Sequence, residues 1–200
     1  MKGSMRAVVI ALTVTVIGGQ ATIAHAREVR NASFSWVSAE AGLDDGSYVN
    51  ISAGSDWAEI YYNRGTHIEG VDCGDGTFGF VDSWVEGSSQ DASLTVGSRF
   101  SSASGTGTVE AFGGMYESCT DTNTPLAETH TVALDWTGED GPLGKQSGTW
   151  SDHVPGSYNS HQRCSGSFRN ASAAGTIDGS SVSGGGRVGE TTCTEHSNSK

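Results

Sequence analysis

Four residues in the last third of the chain have types that could do catalysis. Ser151, Asp152 and His153 are consecutive, and His161 follows eight positions later, which invites a nucleophile–base or metal-site interpretation. Adjacent residues of a strand point to opposite faces, so Ser151 and Asp152 cannot simply share one site. The sequence also lacks a Gly-x-Ser-x-Gly elbow and a His-Glu-x-x-His motif. We therefore expect a solvated polar segment here, and we predict no catalytic residue, no metal site and no cofactor.

A ligand-binding surface is predicted at a second place, where aromatic and acidic residues alternate. Trp57, Glu59 and Tyr61 would occupy one face of a strand, as an exposed platform on which a sugar ring or another flat ligand could stack. The opposite face reads as core, and it holds Ala58, Ile60 and Tyr62. The alternative is that both faces are covered, as in the middle of a sandwich.

Two further polar residues could face the same way because they are two positions apart. Glu128 and His130 would lie side by side if their segment is a strand. On an edge strand such residues are usually a surface pair, and this is what we expect here.

The cysteines predict two disulfides. Their number is even, and their wide spacing is unlike that of a zinc site; they are Cys73, Cys119, Cys164 and Cys193. Four cysteines allow three pairings. Arg99–Thr106 aligns without gaps to Arg169–Thr176, and each segment is followed by a cysteine. If the two segments are equivalent strands, each following cysteine pairs inside its own half, which selects Cys73 with Cys119 and Cys164 with Cys193.

The elements that must position these residues are strands, since no segment after residue 26 shows a convincing helical period. Period-2 alternation recurs between turn signals such as Asp45-Gly46 and Asp178-Gly179. The predicted fold class is all-β, an antiparallel β-sandwich or barrel of short strands with two disulfides. The apolar faces of the alternating segments predict a core that includes Phe78, Phe80, Val132, Leu134 and Trp136.

Two segments interrupt the strand pattern and are predicted to be loops. The longer is Tyr116 to Glu128, which contains Pro125, and the shorter lies around Val154-Pro155-Gly156. Loops are common places for binding and catalytic residues.

One short segment resembles a known family. Gly42-Leu-Asp-Asp-Gly-Ser-Tyr-Val-Asn-Ile51 is similar to the early strand and turn of the neocarzinostatin-type apoproteins, small secreted β-sandwiches with two disulfides and a cleft for a hydrophobic chromophore. The resemblance covers about ten residues, and the cysteine spacings differ from the short disulfide loops of that family. It implies a sandwich and keeps small-molecule carriage among the possible functions, and it assigns no ligand residue.

The N-terminus predicts export. Lys2 and Arg6 precede the apolar stretch Ala7 to Ile17, and Ala24-His25-Ala26 is a small-x-small cleavage site. The apolar stretch is shorter than the roughly 18 residues that a membrane-spanning helix needs. We therefore predict a signal peptide over 1–26 and a single all-β extracellular domain over 27–200, secreted and without a membrane anchor.

The net charge of the chain disfavours some classes of binding partner. The formal net charge is −12, with 23 acidic residues against 11 basic ones, which disfavours nucleic acid and anionic membranes. We expect a non-catalytic extracellular binding or surface-interaction module whose partner is a small molecule, a glycan or an extracellular protein. An exported hydrolase is one alternative. A disulfide-bonded inhibitor of extracellular proteases, presenting the Tyr116 to Glu128 loop, is another.

The signal prediction has a direct test. Because cleavage is expected after Ala26, the intact mass of secreted material should correspond to a chain that begins at Arg27. Recovery of the uncleaved chain in the membrane fraction would contradict this.

Overall fold

The computed structural model describes residues 28–154 and 158–199. The predicted signal peptide and the Pro155-Gly156 part of the second predicted loop lie outside the described residues. No helix among the described residues is long and apolar enough to cross a membrane.

The described chain consists of strands and one short 3₁₀ turn, so the all-β prediction is confirmed. The strands are β1 Glu28–Leu43, β2 Ser47–Ala53, β3 Ala58–Asp72, β4 Phe78–Ser89, β5 Ala92–Val96, β6 Ser102–Glu117, β7 Thr122–Gly138, β8 Gly144–Val154, β9 Tyr158–Ile177 and β10 Ser180–Ser199, with the 3₁₀ turn at Ser98–Phe100. Several are longer than the sequence suggested. Glycine pairs such as Gly113-Gly114 lie inside a strand, where a Cβ on Gly113 would collide with the backbone of Trp84.

The chain forms two compact units. The larger comprises residues 34–147 and 165–192. The described parts of the smaller are residues 28–33, 148–154, 158–164 and 193–199.

In the larger unit the strands are neighbours in the order β10-β1-β2-β3-β4-β6-β7-β9, and β5 pairs with β6. Because β10 also pairs with β9, the order returns to its beginning. Of the two predicted alternatives, sandwich and barrel, this closed sheet is the barrel. Asp44 stabilises the junction of β10 with β1, because its N–H donates to Ser183 O at 2.8 Å.

The core fills the inside of the closed sheet. Trp136 is 1% exposed, and Val132 and Leu134, on the same side of β7, are equally buried, as predicted. The Trp136 indole N–H donates to Glu40 O of β1 at 3.0 Å, so its one polar atom is satisfied.

The face assigned to Phe78 and Phe80 was wrong. The two rings share one side of β4, but they are 75% and 36% exposed. The alternate side, with Val85 3% exposed, packs into the core. Both sides of β4 carry apolar residues, and period-2 alternation by itself does not say which one turns inward.

The aligned segments of the sequence end in β6 and β9, on either side of β7. Ala103 and Ala173 both pair with Trp136, and the glycines two positions later both pair with the same leucine. The similarity therefore has a packing reason, since the largest core side chain needs small neighbours on both sides.

The predicted loop Tyr116 to Glu128 is instead a hairpin. Strand β6 continues to Glu117, β7 begins at Thr122, and Pro125 pairs with Gly114. The pairing of β7 with β9 covers only residues 132–138, so Pro125 lies where β7 has no second partner strand within the described part of the chain. A proline is tolerated on such an edge because it lacks the N–H that a further strand would need.

Both disulfides have the predicted pairing, Cys73 with Cys119 and Cys164 with Cys193. The first joins residues beside the tips of the β3–β4 and β6–β7 hairpins.

Removing the central indole should destabilise the fold strongly. We expect Trp136→Ala to lower the free energy of unfolding by about 3–5 kcal/mol, the usual cost of a large buried aromatic truncation. Urea unfolding measures it, and Trp150→Ala is a matched control because Trp150 is 59% exposed. Equal losses in the two variants would contradict the core assignment.

Candidate functional site

The predicted platform residues lie on the outside of the larger unit. Ile60 and Tyr62 are fully buried, so Glu59 and Tyr61, on the alternate side of β3, face outward. Trp57 precedes β3, and its indole lies over Gly54. The Tyr61 hydroxyl donates to Glu86 at 3.2 Å.

Tyr61 belongs to a larger group of outward rings, here called the aromatic face. All its members alternate with inward residues on β3, β4 or β6; they are Tyr61, Phe78, Phe80, Trp84, Phe112 and Tyr116. Trp84 is central to the group. It is 48% exposed, and both residues that pair with it, Gly65 on β3 and Gly114 on β6, are glycines.

The indole of Trp84 lies across its neighbour instead of standing upright. A Cβ built on Gly114 would be 2.8 Å from Cη2 of Trp84, so only glycine leaves room beneath the ring. An aromatic side chain laid over a glycine in this way offers one flat face to the solvent.

The other rings extend this surface. The centroids of Phe80 and Tyr116 are 5.8 Å apart, and those of His67 and Phe80 are 5.7 Å apart. Tyr48 of β2 lies 6.3 Å from Tyr61 in an edge arrangement. These spacings are those of ordinary aromatic contacts, so the rings support one another.

Carboxylates lie between the rings. Asp82 and Glu86 flank Trp84 on the same side of β4. Asp82 bonds Nδ1 of His67, and Glu69 lies 3.3 Å from Nε2 of that ring. The hydrogen bond with Asp82, followed by that with Glu69, raises the pKa of His67 above its usual value. The surface therefore combines flat apolar rings with hydrogen-bond acceptors.

The sequence contained one sign of this surface. Phe78, Phe80 and Trp84 have the same parity as Asp82 and Glu86, and a core face does not hold two unpaired carboxylates. No local sequence pattern indicated that Phe112 is an outward ring, because the Gly113-Gly114 pair that follows it is typical of a turn.

Glu128 and His130 face the same way, but the prediction of a surface pair was wrong. His130 is 4% exposed, and its Nε2 is 3.0 Å from Glu128 Oε2. Asp178, in the turn between β9 and β10, lies 2.8 Å from Nδ1 of the same ring and also accepts the N–H of Thr131. The pair is on the inner side of β7 and is covered by a turn that is 48 residues away in sequence, which local patterning cannot reveal.

The environment of Asp178 favours its charged form. Partial burial acts to raise its pKa, but the N–H of Thr131 and the ring of His130 outweigh burial and hold the pKa below the usual value.

The structure brings together only two of the four residues that the sequence singled out between Ser151 and His161. Ser151 Oγ is 3.0 Å from His161 Nδ1, whereas His153 Nδ1 is bonded to Asn159 at 3.0 Å. His161 lines a groove of about 540 Å³ in the smaller unit, and neither Asp152 nor His153 lines it. Across the described ranges, no three His, Cys, Asp or Glu residues are arranged to hold a metal ion.

No protein-family model matches the chain, and neither a curated protein nor a solved structure matches it. Any functional proposal therefore depends on the surfaces described above.

Asp178 should make stability depend on pH. Its folded-state pKa is lowered, so its contribution is present above the ordinary value of 3.8 and is lost as the pH falls through the lower folded pKa. We expect Asp178→Asn to cost about 1 kcal/mol at pH 7, a charge-assisted hydrogen bond discounted for solvent screening, and close to nothing at a pH below the lowered folded-state pKa.

Urea unfolding at the two pH values measures this. Asp135→Asn, at an exposed position of β7, is the control. A loss for Asp178→Asn that is the same at both pH values would contradict the role of the carboxylate.

Proposed function

We propose that the protein is a secreted, extracellular, non-catalytic binding protein that takes neutral carbohydrate on the aromatic face. The observation that carries the proposal is Trp84, a half-exposed indole laid over Gly114 with a carboxylate on either side along β4. Secretion is supported by the predicted signal over 1–26 and by two disulfides, which persist in oxidising compartments.

Stacking is the first part of the argument. The C–H side of a sugar ring is apolar and flat, and an exposed indole or phenyl ring offers a rigid surface of matching shape with few rotatable bonds to freeze. Trp84 and Phe112 are both about half exposed and lie on adjacent strands.

Hydrogen bonding is the second part. Asp82, Glu86 and Asn63 share the outer side with the rings, and their oxygens can accept from sugar hydroxyls. Charge then selects among glycans. The net charge of −12 and these carboxylates disfavour anionic polysaccharides, which leaves neutral ones.

The two rival functions have less support. A hydrolase built on the histidines needs His153 and His161 in one site, and their side chains have different partners. A protease inhibitor needs a protruding loop, and the segment Tyr116 to Glu128 is paired in β6 and β7 except for its short turn.

Affinity electrophoresis through gels that contain neutral polysaccharides tests the proposal. We expect at least one neutral polysaccharide to retard the wild-type protein, and Trp84→Ala to weaken that interaction about tenfold or more, because one stacked ring contributes about 1–3 kcal/mol.

Trp150→Ala is the matched control, since it removes a similarly exposed indole from the smaller unit. The proposal fails if no neutral polysaccharide retards the wild type, or if the two variants lose affinity equally.

A further inference from the structure

Four rings of the aromatic face form a single row. Phe112 and Tyr116 are outward residues of β6, and Gly114 lies midway between them. The indole of Trp84 covers this glycine, since a Cβ on Gly114 would lie 2.8 and 3.2 Å from Cη2 and Cζ3 of the ring. Phe80 continues the row, because its centroid is 5.8 Å from that of Tyr116. The order of the rings is therefore Phe112, Trp84, Tyr116 and Phe80.

The row is longer than one sugar ring. Each residue of an antiparallel strand adds about 3.4 Å, so Phe112 and Tyr116 are about 14 Å apart along β6. Asp82 of β4 pairs with Tyr116, and Phe80 lies two positions past Asp82, in the direction away from Trp84. The row therefore extends beyond Tyr116. A single sugar covers only part of it, whereas a chain of several sugars can cover all of it.

Polar groups lie along both edges of the row. On the β4 side, the carboxylates of Asp82 and Glu86 are opposite Tyr116 and Phe112. On the β7 side, Asn123 pairs with Tyr116 and places its amide oxygen beside the glycine under the indole. Carboxylates accept hydrogen bonds, and an amide both accepts and donates. The edges therefore suit hydroxyl groups, and the carboxylates repel a ligand that carries negative charge of its own.

Both carboxylates keep an oxygen that a ligand can use. Asp82 Oδ1 is bonded to Nδ1 of His67, and Glu86 Oε2 accepts from the Tyr61 hydroxyl at 3.2 Å. Oδ2 of Asp82 and Oε1 of Glu86 have no hydrogen-bond partner among the described residues. Each can accept from a sugar hydroxyl without breaking the contacts already made.

An extended polysaccharide backbone has the matching shape. Pyranose rings joined by equatorial β-1,4 bonds follow one another in a nearly straight ribbon, with C–H groups on its faces and hydroxyls along its edges. Such a ribbon can lie with one face on the row of rings and its hydroxyls beside the polar edges. Chains that contain an axial bond, such as α-1,4-glucans, coil, so their successive sugars would leave a straight row.

We infer that the aromatic face binds an extended, β-1,4-linked neutral polysaccharide whose backbone lies along the row from Phe112 to Phe80. The inference rests on the proposed function, and it adds the class of polysaccharide and the direction of the chain. Several consecutive sugars contact the protein, so affinity depends on chain length.

Calorimetric titration with oligosaccharides tests this dependence. The probes are the hexasaccharides of β-1,4-linked glucose, mannose and xylose, their disaccharides, and maltohexaose, which is α-1,4-linked. We expect at least one β-linked hexasaccharide to bind the wild type about tenfold or more tightly than its own disaccharide, because it reaches more rings of the row. Maltohexaose should bind about tenfold or more weakly than that hexasaccharide.

Two variants test the ends of the row. Phe112→Ala and Phe80→Ala should each weaken binding of that hexasaccharide about fivefold or more, because each removes one stacking ring, with the unfolding temperature unchanged. Phe34→Ala is the matched control. Phe34 is 41% exposed, close to the 36% of Phe80, and it lies on β1 outside the aromatic face.

Failure of this inference and failure of the proposed function are distinguishable. Only the inference fails if a neutral polysaccharide retards the wild type but maltohexaose binds best, no β-linked hexasaccharide binds, or the disaccharide binds as tightly as its hexasaccharide. It also fails alone if both end variants bind as Phe34→Ala does. Both fail if no neutral polysaccharide retards the protein. Light scattering adds one further outcome: a dimer that Trp84→Ala dissociates would assign the row to a second copy of the chain and overturn both.

Discussion

The pairing of β10 with both β1 and β9 is the constraint on which the larger unit depends. Its strands have no helix to cover them, so an open sheet would leave a row of unpaired N–H and C=O groups at each edge. The glycines of β10 make the closure possible. A Cβ on Gly184 or Gly186 would collide with the backbone of Gly42 or Glu40 on β1. Closure brings Trp136 of β7 within hydrogen-bonding distance of β1, and it gives the sheet the buried interior in which the apolar residues pack.

Two aspartates stabilise the closed sheet through the same pair of hydrogen bonds. Asp44 N–H donates to Ser183 O and its Oδ1 accepts the N–H of Ser183; Asp178 N–H donates to Thr131 O and its Oδ1 accepts the N–H of Thr131. Each aspartate lies in a turn between consecutive strands. The side chain replaces the carbonyl that the next strand residue would have offered, so the ladder ends without an unpaired donor. In both cases the hydrogen bonds lower the pKa of the carboxyl group, against the opposing effect of burial.

The sequence predicts the fold class, the disulfide pairing and the buried side of β7, because these follow from period-2 alternation and from the position of cysteines. It fails where the answer depends on a neighbour distant in the chain. Phe78 and Phe80 alternate as core residues do, but their side of β4 is outward because Val85 packs inward. His130 is buried by a turn that contains Asp178, and no local pattern connects the two.

Only the residues at the edge of the candidate site were predictable from the sequence. Tyr61 and Glu59 were expected on an exposed side, and they lie there. The central residue, Trp84, shares its side of β4 with Phe78 and Phe80, which were expected in the core. That expectation overlooked the carboxylates of Asp82 and Glu86 on the same side. The stacking of the indole over a glycine can be predicted only if it is known that Gly114 pairs with Trp84. That register is set by the whole β4–β6 ladder.

The Cys73–Cys119 bridge has a consequence for recognition. It ties together the ends of two hairpins whose strands carry the aromatic face on the outer side and buried residues such as Tyr62 and Val85 on the inner side. A loop of 46 residues is closed covalently, so the hairpins cannot splay apart and the rings hold their spacing before anything binds. The proposed carbohydrate binding would therefore order little that is not already ordered. Such preorganisation lets a small contact area reach useful affinity, and the same surface loses that advantage in a reducing environment.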